Sequence, residues 1–227
     1  MTTTDKVSIK CVMFDFVGPL AHFDVGAHWS FFRRYATART QEAEAFFSNI
    51  YNPDLIALEI GEITISEYYL RIKELLGLKI SMPELVSFLR NQFYLDQQMV
   101  RVVRDLKAQG VEVVLVSNIN EVHEDAIRDR FPHFFELFGY TMFSHQCGYR
   151  KPDERMWRIP MRDLGVDPDQ CVYVDDMQHH VATFESIGGR GYHYDIWTES
   201  YSLDRSRIVQ HQIGFINMLE NLGVFED

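Results

Sequence analysis

Apolar and polar positions divide the chain into two regimes that meet near Gln97. Ahead of that point one short apolar run stands alone. Ile9–Phe14 reads Ile-Lys-Cys-Val-Met-Phe; it is too brief for a helix and nearly continuous in apolar character, which predicts a buried parallel strand. The run ends on an acid, Asp15, and then on Gly18-Pro19, a strong chain-turning pair. Beyond Leu20 the spacing becomes helical, with helices predicted over Trp29–Ala36, Ala43–Tyr51, Asp54–Leu58, Glu67–Leu76 and Glu84–Asn91. Phe46, Phe47 and Ile50, and Tyr69, Ile72, Leu75 and Leu76, form their apolar stripes. Ser81-Met82-Pro83-Glu84 has the form of a capping box with proline in the first turn.

From Gln97 onward strand and helix alternate. Met99–Ala108 is a predicted helix closed by Gly110, and Val111–Val116 is a β-branched strand ending at Ser117-Asn118. Helix Glu121–Phe131, strand Tyr140–Phe143, a loop carrying Lys151-Pro152 and helix Glu154–Leu164 follow. Strand Cys171–Val174 ends at Asp175-Asp176; then come helix His180–Ile187, strand Gly191–Tyr194 and a last helix, Ser206–Leu222. Pro160 should kink or interrupt its helix. Repeated βαβ units call for a parallel sheet with helices on both faces. The expected fold class is therefore α/β, a doubly wound, Rossmann-like parallel sheet. Residues 1–20 and 97–227 would form the core domain, and residues 21–96 an all-helical cap inserted after the first strand.

Hydrophobic content of 46% and aromatic content of 14% suffice for a packed interior. A net charge of −11 repels the phosphate backbone, so nucleic acid is not an expected partner. It leaves room for a small anionic substrate, because a bound metal reverses the local sign. Cys11, Cys147 and Cys171 are odd in number and without metal-like spacing, which suggests unpaired thiols and a reducing, cytoplasmic setting. The start Met1-Thr2-Thr3-Thr4-Asp5-Lys6 lacks the apolar stretch of a signal peptide, and no run approaches membrane-spanning length.

Three predicted strands end in polar residues at one sheet edge: Asp15, Ser117-Asn118 and Asp175-Asp176, with Lys151 arriving from a loop. In open α/β sheets that edge is where ligands bind. Clustered carboxylates need a cation, and oxygen ligands of this kind suit Mg²⁺. A hydroxyl, an amide and an ammonium suit the oxygens of a phosphate.

In that order the motifs resemble those of the haloacid dehalogenase superfamily with a helical cap. Phe14-Asp15-Phe16-Val17-Gly18-Pro19-Leu20 is similar to its first motif, Val116-Ser117-Asn118 to the second, Arg150-Lys151-Pro152-Asp153 to the third and Tyr173-Val174-Asp175-Asp176 to the fourth. The resemblance extends to the α-glucose-1-phosphatase and epoxide-hydrolase N-terminal-like group. It implies a phosphatase of a small phosphorylated metabolite, with Asp15 as a nucleophile that forms an aspartyl-phosphate. It further implies that Ser117 and Asn118 bind the transferring group and that Lys151 neutralises charge. Mg²⁺ would be held by Asp15, the backbone carbonyl of Val17 and Asp176, with Asp175 a direct ligand or one step removed.

Two positions depart from the family pattern. Val17 stands where such phosphatases usually carry a second Asp as general acid and base, a function worth about 10²–10⁴-fold. Pro19 replaces a usual Thr or Val and removes an N–H from the turn. Three readings stay open: a phosphatase tolerant of Val17, a metal-free 2-haloacid dehalogenase, or a catalytically impaired binding protein on the same fold. A phosphonate hydrolase would need a cap lysine, and only Lys73 and Lys79 are available there. His22 or Asp24 could in part replace the missing acid. Arg33-Arg34 could meet an anionic group or form a solvated helix face. His179-His180 is read as the start of a surface helix, and Trp157 and Trp197 as packing residues.

Overall fold

A computed structural model describes residues 8–38, 40–48, 52–198 and 202–225. The first apolar run becomes β1 (Cys11–Phe14), buried along its length, and a turn leads into β2 (Ala21–Phe23). Helices α1 (Val25–Tyr35), α2 (Gln41–Ser48), α3 (Pro53–Glu59), α4 (Ile65–Leu76) and α5 (Met82–Leu89) follow. β3 (Phe93–Leu95) then returns antiparallel to β2. Strand and helix alternate thereafter: α6 (Gln97–Ala108), β4 (Glu112–Ser117), α7 (Glu121–Arg130), β5 (Tyr140–Phe143), α8 (Ser144–Cys147) and α9 (Arg155–Leu164). The series ends with β6 (Cys171–Asp175), α10 (Gln178–Ser186), β7 (Arg190–His193) and α11 (Arg205–Asn221).

The five sheet strands lie in the order β5-β4-β1-β6-β7, every pairing parallel. Alternate residues of a strand face opposite sides, and both sides of β1 are covered. Val12 and Phe14 pack with Val103 and Leu106 of α6 and Phe215 and Leu219 of α11. Cys11 and Met13 pack with Met156 and Trp157 of α9 and Phe184 of α10. The doubly wound parallel sheet is thus the observed fold. Because β1 is flanked by β4 and β6, its carboxyl end is the topological switch point, where such sheets form a crevice. Phe14 pairs with Leu115 and Val174, which brings Asp15 level with Asp175.

Between β2 and β3 the chain builds a separate apolar cluster, including Phe32, Leu58, Tyr69, Ile72, Leu76, Leu85 and Leu89. Capping boxes at Thr64/Glu67 and Ser81/Glu84 start α4 and α5, and left-handed Gly77 closes α4. The sequence predicts that residues 21–96 are all helical; the structure departs from this, because the β2–β3 ribbon bounds the segment. Strands of three residues are too short to display a period, and their pairing partners lie far apart in sequence. α1 begins at Val25, with Asp24 capping it by accepting from the Ala27 N–H at 2.7 Å. Of the predicted helix Ala43–Tyr51, residues 49–51 lie outside the described residues, as does the side chain of Phe47. α9 runs on through Pro160 rather than breaking there. The ring is buried in the same stripe as Met156, Trp157 and Met161, so apolar burial offsets the lost backbone bond.

Candidate active site

The β1–β2 turn forms without the backbone donor that Pro19 lacks: Leu20 and Ala21 donate to Phe16 O, and Gly18 donates to Ala21 O. Gly18 has φ +94°, and a Cβ there would lie 2.7 Å from Cβ of Asp176. Only glycine lets the first motif approach the fourth this closely. The half-buried Val17 side chain packs against the core and offers no proton-transfer group.

Lys151 joins the strand ends. Its fully buried Nζ lies 2.7 Å from Asp15 Oδ1 and 2.8 Å from Asp175 Oδ2, and it donates to the Tyr173 hydroxyl at 2.9 Å. Its backbone is clamped by Asn118, which accepts from the Lys151 N–H at 2.8 Å and donates to the Lys151 carbonyl at 3.1 Å. Asn118 thus fixes the lysine-bearing loop to the end of β4. Ser117, the last residue of β4, is buried beside it. Asp15 Oδ1 also accepts from the Phe16 N–H at 2.7 Å.

Both oxygens of Asp175 are engaged by protein donors. Oδ1 accepts from the Met177 N–H at 2.7 Å. Oδ2 takes Lys151 Nζ, the Tyr173 hydroxyl and, at 3.0 Å, His180 Nδ1. Asp176 Oδ2 accepts from Trp197 Nε1. One oxygen each of Asp15, Asp175 and Asp176 can lie within 4.8 Å of one another, a donor set that fits a hard divalent cation.

The charges are uneven, and the protonation behaviour follows. Burial pushes the Asp15 carboxyl up, and the Asp175 charge adds to this, so that despite Lys151 it titrates at about 7. Burial raises Asp175 too, but Lys151 and His180 outweigh it and hold the group below the usual carboxylate range. Asp176 is pushed well up by burial and by the Asp175 and Asp15 charges. For Lys151, burial favours the neutral amine, yet Asp15 and Asp175 prevail and raise it. One ammonium does not balance three carboxylates, and a dication would.

Several residues differ from their sequence reading. His180 is buried against Asp175 rather than on a surface helix, while its neighbour His179 is exposed. Trp197 is a donor to Asp176 and not only a packing residue, whereas Trp157 does pack, against Tyr173 and Phe184. Tyr173 also belongs to the site, and its spacing of two from Asp175 on one strand is the sequence signal for it, since it places both on one face. His22 lies 3.3 Å from Asp96 and Asp24 caps α1, so both anchor the ribbon and α1 and stay outside the carboxylate cluster. Arg33, Arg34, Lys73 and Lys79 are exposed. Cys11, Cys147 and Cys171 are free thiols. Among the described residues no helix is long and apolar enough to cross a membrane.

Residues 9–188 match the sequence model of the haloacid dehalogenase-like hydrolases. The chain belongs to that family. Among curated relatives, the sesquiterpene phosphatase astK of Aspergillus oryzae is 28% identical over 99 residues, 43% of this chain and 50% of that protein. The bifunctional epoxide hydrolase 2 of Sus scrofa is 22% identical over 198 residues, 80% of this chain but 36% of that protein. The matches therefore span half or less of these relatives. Among solved structures, a mutant HAD family enzyme of Bacteroides thetaiotaomicron in complex with magnesium and inorganic phosphate superposes with a TM-score of 0.72. It is 20% identical, and the match covers 88% of this chain and 99% of that one. An L-2-haloacid dehalogenase from Xanthobacter autotrophicus gives a TM-score of 0.59 at 15% identity, covering 85% of this chain and 80% of that one. At these identities the structural matches speak to the family's fold.

Proposed function

We propose that this hydrolase is a Mg²⁺-dependent phosphatase of a small phosphate monoester, working in the cytoplasm through an aspartyl-phosphate on Asp15. The observation that carries the reading is the excess of carboxylate at the switch point: buried Asp15 and Asp175, and half-buried Asp176, around a single ammonium. A metal-free dehalogenase would have to keep Asp176 beside Asp175 uncompensated. A phosphatase holds the cation that the arrangement calls for, and the magnesium and phosphate complex of the Bacteroides enzyme is in keeping with this.

Asp15, Asp176 and the Val17 carbonyl would hold the ion directly. Asp175, its oxygens already taken, orients Lys151. The bound Mg²⁺ supplies charge neutralisation and orientation for in-line displacement. Lys151 opposes protonation of Asp15, aligns it and neutralises the phosphoryl oxygens, with Ser117 beside them. An Asp15 carboxylate oxygen forms a bond to phosphorus as the ester P–O bond breaks, and the leaving oxygen takes its proton from solvent or from the substrate. Water then hydrolyses the acyl phosphate and restores Asp15.

Because Val17 donates no proton, acyl and aryl phosphates, whose leaving groups need little protonation, should turn over faster than alkyl phosphates such as sugar phosphates. Phosphate release measured across such a panel tests this. A steep fall in kcat/KM as leaving-group basicity rises is expected. A flat series would mean that another residue supplies the proton, and no release from any ester would favour a binding protein on this fold.

A further inference from the structure

The β2–β3 ribbon is not the helical segment's sole tie to the sheet edge. At the end of α3, Glu59 Oε2 lies 3.1 Å from Nη2 of Arg150, and both side chains are more than four-fifths buried. Two residues on, Gly61 has φ +73°, and a Cβ there would lie 2.5 Å from the carbonyl oxygen of His145 in α8. Residues 59–61 thus touch the stretch leading into Lys151 at two points.

That stretch is tied to the segment that follows β4. Arg150 adjoins Lys151, whose backbone is clamped by Asn118. His145 Nδ1 meets Ile119 O at 2.8 Å, and Ser144 Oγ accepts from the Ile119 N–H at 2.9 Å. His145 Nε2 in turn lies 2.9 Å from Glu124. Burial pushes the Glu59 carboxyl up, and the Arg150 and Lys151 charges oppose this. A carboxylate this buried is held by its ion pair and is costly without it.

We infer that Glu59 and Arg150 form a closure latch, a pair of positioning residues that docks α3 on the Lys151 loop and so couples closure of the helical segment to placement of the catalytic lysine. The inference rests on the phosphatase reading for its kinetic consequence, not for its structural one. Breaking the pair releases α3 and lets Lys151 drift, so bound ester is committed less often. A latch of this kind biases a two-state closure.

The test uses the full chain with Mg²⁺ and p-nitrophenyl phosphate, comparing Glu59→Gln, Arg150→Met, Arg150→Lys and the Glu59→Gln/Arg150→Met double variant. Hydrogen exchange is followed in Pro53–Glu59 and in residues 148–151. Each of Glu59→Gln and Arg150→Met should lower kcat/KM on the order of tenfold, as couplings of this kind do. The double variant should be no worse than either, and Arg150→Lys should recover part of the loss. Exchange should rise in the two segments while β1 and β4 stay protected. Additive losses, or unchanged exchange in the single variants, would overturn the latch. So would a loss confined to Glu59→Gln, which would place Glu59 directly on the substrate. An inactive wild-type protein would refute the phosphatase reading alone, because the exchange measurement still decides the latch.

Discussion

Lys151 serves two carboxylates at once, and the two titrate in opposite directions. Asp15 is raised from 3.8 to about 7, chiefly by burial. Its contribution to stability is therefore present below the unfolded value and is lost as pH climbs through about 7. Asp175 is depressed, so its contribution is present above the unfolded value and is lost in acid. Without metal, ionising Asp15 beside Asp175 and Asp176 strains the fold on the alkaline side, and a cation relieves that strain. Added Mg²⁺ should accordingly raise the melting temperature more at about pH 8 than at about pH 5. Melts with Mg²⁺ and with chelator check this, and equal shifts at both pH values would count against it. Lys151→Met leaves Asp15 and Asp175 buried without their cation, which costs about 3–5 kcal/mol by denaturant titration and should end turnover. The charged members of this site were legible in sequence because each sits at a strand end or in the loop before a helix. Tyr173 could be found from its spacing of two from Asp175 on β6, but His180 and Trp197 were not legible, because what makes them members is a hydrogen bond to Asp175 or Asp176 formed only once strand, helix and loop converge.

Local chemistry fixed some elements and concealed others. The capping box at Ser81/Glu84 is formed as its residues predict, with Glu84 Oε2 accepting from the Ser81 N–H at 2.7 Å. Ser81→Ala should cost roughly 1 kcal/mol and leave kcat/KM unchanged, since α5 contributes nothing to the carboxylate cluster. Urea titration alongside phosphate release separates the two effects. The turn after β1 behaves oppositely. Gly18→Ala adds a Cβ against Asp176 and a strained positive φ, a local penalty of about 1–3 kcal/mol. It should weaken Mg²⁺ binding in calorimetry far more than it lowers the melting temperature; unchanged binding would show that the approach of Gly18 to Asp176 is not needed. The ribbon of β2 and β3 left no periodic trace, and Pro160, a breaker by local rules, is carried by its buried face. In both cases tertiary packing outweighs local preference.

At the scale of the whole molecule, strand–helix alternation from Gln97 onward was enough to read the parallel sheet, since each apolar run could be buried on both faces only with helices above and below. The contacts of the inserted helices with the sheet edge were not readable, because they rest on single residues such as Glu59 and Gly61 meeting Arg150 and His145. The net charge of −11 would repel an anionic substrate at long range, so capture of a phosphate depends on cations at the strand ends. The most direct test of Mg²⁺-dependent hydrolysis through Asp15 is phosphate release from an acyl or aryl phosphate by wild type and Asp15→Asn, each with Mg²⁺ and with chelator. Wild type should turn over with Mg²⁺ alone, and Asp15→Asn, whose circular dichroism stays native, should not. Full turnover by Asp15→Asn, or undiminished turnover in chelator, would contradict that mechanism.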